Sequence, residues 1–163
     1  MNLEPTQRRV SLRPVDVHDL PIFYAHQLDP EATRLAAFPS RDHEAFLTHW
    51  TTRILGNPDA ASRTILFDNQ VAGNIGAWTD AGTRRRFLGY WIGREFWGRG
   101  IASAAVLQFL QSEPTRPLIA HVVKHNLGSI RVLEKSGFIR TGEEAFTLPD
   151  GTPCAELTYV LSA

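Results

Sequence analysis

Cysteine is nearly missing from this chain: Cys154 stands alone among 163 residues, which rules out an intrachain disulfide and a cysteine-ligated metal cluster. Charge of one sign is missing too. Lys and Arg total 17, Asp and Glu total 17, and the formal net charge is zero. No global field draws the chain to nucleic acid or to an anionic membrane surface. Long apolar runs are absent, none approaching the ~20 residues of a membrane span. The opening segment, Met1 to Arg9, lacks the apolar core of a secretory leader. These absences point to a reduced, cytoplasmic setting. Repeats, low-complexity tracts and composition breaks are lacking as well, so residues 1–163 read as one domain, long enough to bury a core unaided. The one dense basic run, Arg84-Arg85-Arg86, follows Asp80-Ala81-Gly82-Thr83 and reads as a solvated hairpin rim.

What is present alternates between the two secondary-structure periods. Val10 to Pro14 reads as a short first strand stopped by proline. Asp16 can cap a helix carrying Leu20, Phe23, Tyr24 and Leu28. A second helix is expected from about Ser40, with Phe46, Leu47, Trp50, Ile54 and Leu55 as its apolar stripe and Gly56-Asn57-Pro58 as its end. Thr64 to Phe67 and Val71 to Trp78 form a hairpin, and Phe87 to Gly93 a fourth strand. A helix follows to about Glu113, then a buried strand over Leu118 to Val123. A helix from Leu127 to Lys135 stops at Gly137, and strands from Phe138 to Phe146 and Ala155 to Leu161 close the chain. The order predicts an α/β fold: a mixed, mainly antiparallel sheet of about seven strands flanked by about four helices.

The junction of the fourth strand with the next helix carries the strongest signal, Trp97-Gly98-Arg99-Gly100-Ile101-Ala102-Ser103. A glycine-rich turn entering a helix offers unpaired N–H groups at the positive end of the helix dipole. Gly98, Gly100 and Ala102 let a bulky anion come close to that backbone. The run reads as a pyrophosphate seat.

Two stretches resemble the Gcn5-related N-acetyltransferases (GNAT), specifically the branch that acetylates ribosomal-protein N-termini (RimJ/RimL-like). Gly89 to Ala102 is similar to that family's acetyl-CoA loop, and Asn126 to Phe138 to its second conserved segment. The resemblance implies the acyl-CoA N-acyltransferase fold, with a V-shaped splay between the fourth and fifth strands. It implies acetyl-CoA as cosubstrate, its pantetheine arm bonded to backbone around Ile92, Gly93 and Arg94 as a peptide adds to a sheet edge. Its pyrophosphate would rest on the amides of roughly Gly98 to Ser103, through Gly98, Gly100, Ile101, Ala102 and Ser103, with Trp97 also among the cofactor-binding residues. Arg99 adds a charge-assisted contact to phosphate or else points to solvent. Asn126 caps the helix after it and can bond the cofactor. Departures are visible. Trp97 replaces the usual Gln or Arg of the loop, Leu133 stands where many relatives have an acid tyrosine, and Phe87 where some have a glutamate base.

Acetyl transfer needs a neutral amine, a path for its proton and a donor to the leaving thiolate. With the expected base absent, direct attack by a less basic amine is favoured: an α-amine near pKa ~8 rather than a lysine near ~10.4. The acceptor is therefore a protein N-terminal amine or a small-molecule amine. Ser129 is the candidate acid, implied by a serine of the ribosomal-protein branch, against a plain capping role. Glu95 beside the loop can hold an amine or relay a proton, against being a solvated turn residue. His121 and His125 read as packed residues, Cys154 as a small buried one, and Trp50, Trp78, Trp91 and Trp97 as core or acceptor-cleft fillers. No metal site is expected, since the histidines lack carboxylates at ligand spacing. Oligomeric state stays open; the resemblance allows a homodimer through the terminal strands.

A dinucleotide fingerprint is the nearest rival motif, but three strands precede the βα unit that holds Gly98 and no acid falls in Leu118 to Val122. A kinase-type phosphate loop lacks its Gly-Lys-Ser/Thr. A non-catalytic acyl-CoA sensor or interaction module and an aminoglycoside-type acetyltransferase are the alternative functions.

Overall fold

Alternation along β4 (Arg86–Ile92) sets the layout. Leu88, Tyr90 and Ile92 face one side of the sheet and join a large core, while Phe87 and Trp91 face the other. The computed structural model describes residues 5–163. The part of the leader argument that concerns Met1 to Glu4 lies outside the described residues.

The sheet has seven strands in the order β1-β2-β3-β4-β5-β7-β6, antiparallel throughout except for β4 beside β5. The others are β1 (Val10–Pro14), β2 (Ala61–Phe67), β3 (Gln70–Thr79), β5 (Leu118–Val123), β6 (Ile139–Thr147) and β7 (Pro153–Leu161). The expected mixed sheet of about seven strands is therefore found. The large core lies between this sheet and α5 (Ile101–Ser112) with α6 (Leu127–Lys135), around Ile75, Val106, Phe109, Leu118, Leu133 and Leu157. A smaller core on the opposite face joins Leu20, Phe23, Phe46 and Trp50.

Helices are more numerous than expected. A short α1 (Pro5–Arg9) precedes β1, and Asp16 caps a 3-10 turn, Val17–Asp19, that leads into α2 (Leu20–Gln27). The span between the two expected N-terminal helices folds as α3 (Pro30–Ala36). Asp29 caps it through Ala32 N–H at 3.0 Å and Pro30 opens it, an N-cap and N1 pair that the sequence carries openly. The next helix, α4 (His43–Thr48), starts at Asp42 rather than Ser40, because the Asp42 carboxylate accepts from Ala45 N–H at 2.8 Å. It widens into a π-helix over His49–Leu55.

One buried polar cluster ties the N-terminal helices to the sheet. Asp19 is only 4% exposed and takes the Arg13 guanidinium at 2.7 and 2.8 Å, the Thr64 hydroxyl at 2.6 Å and the Asp16 amide at 2.9 Å. Burial alone would raise its pKa; these donors outweigh it and hold the carboxyl down to about 2. Among the described residues no helix is long and apolar enough to cross a membrane.

Candidate active site

The parallel strands β4 and β5 pair only at Arg86 with Leu118 and Phe87 with Ile119, then part. On its other side β4 stays joined to β3, and Gly93 N–H donates to Ala72 O at 2.8 Å. Alternation therefore turns the backbone groups of Tyr90 and Ile92 toward the gap left by β5. A cleft of about 720 Å³ fills this gap. Its walls are Tyr90, Trp91 and Ile92, the loop from Phe96 to Ser103 apart from Arg99, and residues of α6. Ala32, Leu35 and Ala36 of α3 complete it.

The loop has the geometry of an anion seat. Gly98 and Gly100 have φ of 76° and 74°, left-handed values that suit glycine. At Gly98 nothing lies within 4 Å of an added Cβ, so the demand there is conformational rather than steric. No side chain caps α5. The amides of Ile101, Ala102 and Ser103 thus have no acceptor within the helix and stand at its positive end. Trp97 pins the loop to the strand it leaves, its indole N–H donating to Ile92 O at 2.9 Å. That carbonyl is thereby satisfied inside the chain, leaving the Ile92 N–H and the Tyr90 backbone groups facing the splay.

The side chains that flank the loop are engaged elsewhere. Arg94 reaches Asp29 at the start of α3, at 3.4 Å. Arg99 lies 5.7 Å over the Phe67 ring, outside the cleft. Gly93 backs onto His26: a Cβ there would stand 2.5 Å from His26 Nε2. Glu95 is exposed on the 3-10 turn Arg94–Phe96 and does not line the cleft. Its charge acts on His26, whose pKa burial lowers and Glu95 raises in part; His26 Nδ1 is buried without a partner.

Ser129 and Asn126 both line the cleft. Asn126 caps α6, its Oδ1 accepting from Ser129 N–H at 3.3 Å. The Ser129 hydroxyl lies 2.6 Å from the phenol of Tyr90, a residue left without a role by the motifs. Burial pushes the Tyr90 phenol up to about 12, against the opposing pull of the Ser129 hydrogen bond. Leu133 is buried in the main core. Strand parity was the signal for Tyr90: it is two residues before Ile92 and so shares its face.

Two further features were not legible. Arg131 and Lys135, one turn apart on α6, line the cleft. His125 also lines it, with Nε2 2.8 Å from Arg34 O, so α3 is tied across the opening near both ends, by Arg94–Asp29 and by His125. His121 lies outside the cleft, stacked on Phe87 with Thr158 and Glu156 at Nδ1. Trp91 and Trp97 line the cleft, Trp50 is core, and Trp78 is half exposed over Phe87. Cys154 is a free, half-buried thiol. Among the described residues no three His, Cys, Asp or Glu side chains gather to hold a metal ion.

The model of the acetyltransferase (GNAT) domain family matches residues 9–139. The fold is similar to that of a Vibrio cholerae spermidine N-acetyltransferase solved with CoA and spermine (TM-score 0.80, 14% identity, 95% of this chain and 96% of that one). It is also similar to a GNAT-family acetyltransferase from Bacillus anthracis (TM-score 0.77, 17% identity, 94% and 95%). A third likeness is to RimL, a ribosomal alpha-N-protein acetyltransferase, in complex with coenzyme A (TM-score 0.74, 20% identity, 97% and 96%). No curated protein sequence matches the chain.

Proposed function

Because the chain belongs to the GNAT acetyltransferase family and is an acetyl-CoA-dependent acetyltransferase, we propose that it acetylates a primary amine by direct attack, within the RimJ/RimL-like branch. The observation that carries this is the splay of β4 from β5 onto an uncapped, glycine-entered helix N-terminus. Acetyl-CoA supplies the activated acyl group as a thioester. The residues present fit it: the amides of Ile101 to Ser103 suit a pyrophosphate, and the open edge at Tyr90 and Ile92 suits the amides of a pantetheine arm. Arg131 and Lys135 add positive charge to the same cleft for the remaining phosphate.

Proton transfer to the departing sulfur falls to Ser129. Tyr90, still protonated at neutral pH, donates to the Ser129 oxygen at 2.6 Å and leaves the serine proton free for the sulfur. Glu95 is outside this relay, since its side chain does not line the cleft. The acceptor is an amine already partly neutral near pH 7, a protein N-terminus or a small amine of similar basicity. A cytoplasmic setting and a homodimer formed at the free outer edge of β6 belong to the same proposal. The test is thiol release from acetyl-CoA across a panel of α-amines, lysine amines, polyamines and aminoglycosides. Release well above the amine-free rate with α-amines is expected; tight acetyl-CoA binding with no release for any amine would instead make the chain a sensor.

A further inference from the structure

On the face of the sheet that carries the smaller core, a second cavity of about 690 Å³ runs along α4 and the π-helix, lined by Arg41, His49, Arg53, Thr48 and Thr52 among others. Arg41 is fixed there from both sides. The buried Gln27 side chain accepts from Arg41 N–H at 2.8 Å and donates to Arg41 O at 3.0 Å. Its guanidinium is half buried and lies 4.9 Å over the Phe38 ring, and no carboxylate pairs with it among the described residues. Burial lowers the Arg41 pKa, and burial with the charges of Arg41 and Arg53 lowers that of His49. Arg41, Arg53 and His49 line this one cavity together. Asp42 and Glu44 lie on the same rim, but Asp42 is engaged in capping α4 and neither pairs with these cations.

This cluster connects to the acetyl-transfer cleft through two ring contacts. Arg41 stacks on Phe38, and Phe38 meets Trp91, a cleft wall, edge-on at 6.5 Å. Resting on the acetyltransferase reading above, we propose that Arg41, with Arg53 and the N–H of His49, binds an anionic group on the acceptor. The substrate class is then an amine that carries a carboxylate or phosphate. At 3.3–3.6 Å per extended residue, those contacts of 4.9 and 6.5 Å put Arg41 within the reach of roughly three residues from the Trp91 wall of the cleft. In a peptide acceptor the anion is an acidic residue near the N-terminus. A half-buried guanidinium held without a counterion costs free energy alone and recovers it on binding a desolvated anion.

The experiment compares acetylation of matched peptides that share a first residue and carry Asp-Asp or Asn-Asn at the third and fourth positions. Small acidic amines and spermine complete the panel, and acetyl-CoA binding is followed separately by thermal shift. The acidic peptide is expected to exceed its amide twin about tenfold in kcat/KM, falling several-fold with added salt. Arg41→Gln brings that ratio toward one, and Arg53→Gln, at an exposed position that does not threaten folding, lowers it in part. A preference for small acidic amines over the acidic peptide keeps the anion site and moves its source. Equal rates for the twins, a preference for spermine, or an unchanged ratio in Arg41→Gln overturns this inference and leaves the acetyltransferase reading standing. Loss of acetyl-CoA binding in the wild type overturns both.

Discussion

Removing two hydroxyls from the cleft separates a relay from a pair of independent contacts. In Tyr90→Phe the ring stays and only the phenol oxygen goes, taking with it the 2.6 Å hydrogen bond to Ser129. The structural cost is that of one hydrogen bond, about 1 kcal/mol, so the fold and its hold on CoA persist. Ser129→Ala removes the group that meets the sulfur. A positioned acid contributes ~10²–10⁴-fold, so a loss of about 100-fold in kcat is expected, near 2.7 kcal/mol of barrier. Tyr90 acts only through Ser129, so Tyr90→Phe alone should cost about tenfold and, in the Ser129→Ala background, almost nothing more. The double variant then runs near 100-fold down rather than ~1000-fold. Steady-state kcat at saturating acetyl-CoA is the measurement, with CoA affinity by calorimetry as the control. Because the Tyr90 phenol is pushed up to about 12, it should contribute no alkaline limb to the kcat profile up to pH ~10. Losses that multiply, or a Ser129→Ala variant with full kcat, would refute the relay.

Gly93 has φ of –59° and ψ of 139°, values any residue adopts, so Gly93→Ala tests sterics alone. The new Cβ would stand 2.5 to 3.0 Å from three atoms of the packed His26 ring; a loss of about 2 kcal/mol is expected, shrinking below ~0.5 kcal/mol in a His26→Ala background, read by urea unfolding. Asp19 sets an acid limit. Its folded pKa of about 2 lies below the ordinary 3.8, so the stability it confers is complete above pH ~4 and lost as pH falls through 2. That share is about 2 kcal/mol, and Asp19→Asn should be the less stable protein at pH 7 while losing less stability than wild type between pH 4 and 2.5; parallel curves would contradict the assignment.

Most of the sheet was legible because its strands are bounded by turn residues and keep a period of two. Val71 to Trp78 and Leu118 to Val123 lie within or match β3 and β5. The span from Pro30 to Ala36 was not, since seven residues with a single buried side chain, Ala32, show no stripe to detect. There the cap and proline were the only local marks, and they are equally common in turns. The glycine loop announced itself through composition, because left-handed backbone at Gly98 and Gly100 narrows the choice of residue. Tyr90 did not, since its role depends on where α6 lands, a contact 39 positions away in the chain. Arg41, in the connection before α4, was hidden for the same reason: its mate Gln27 belongs to α2, 14 positions earlier.

The gap between β4 and β5 passes right through the sheet, with Tyr90 looking to one side and Trp91 to the other. Such a slot gives donor and recipient separate doors. A bound nucleotide carrier need not move aside for the molecule it will modify, both can be resident together, and the finished amide can depart while the spent carrier stays. Under the direct attack proposed above, the chain carries no acyl group covalently between them, and its solitary thiol is spared that task.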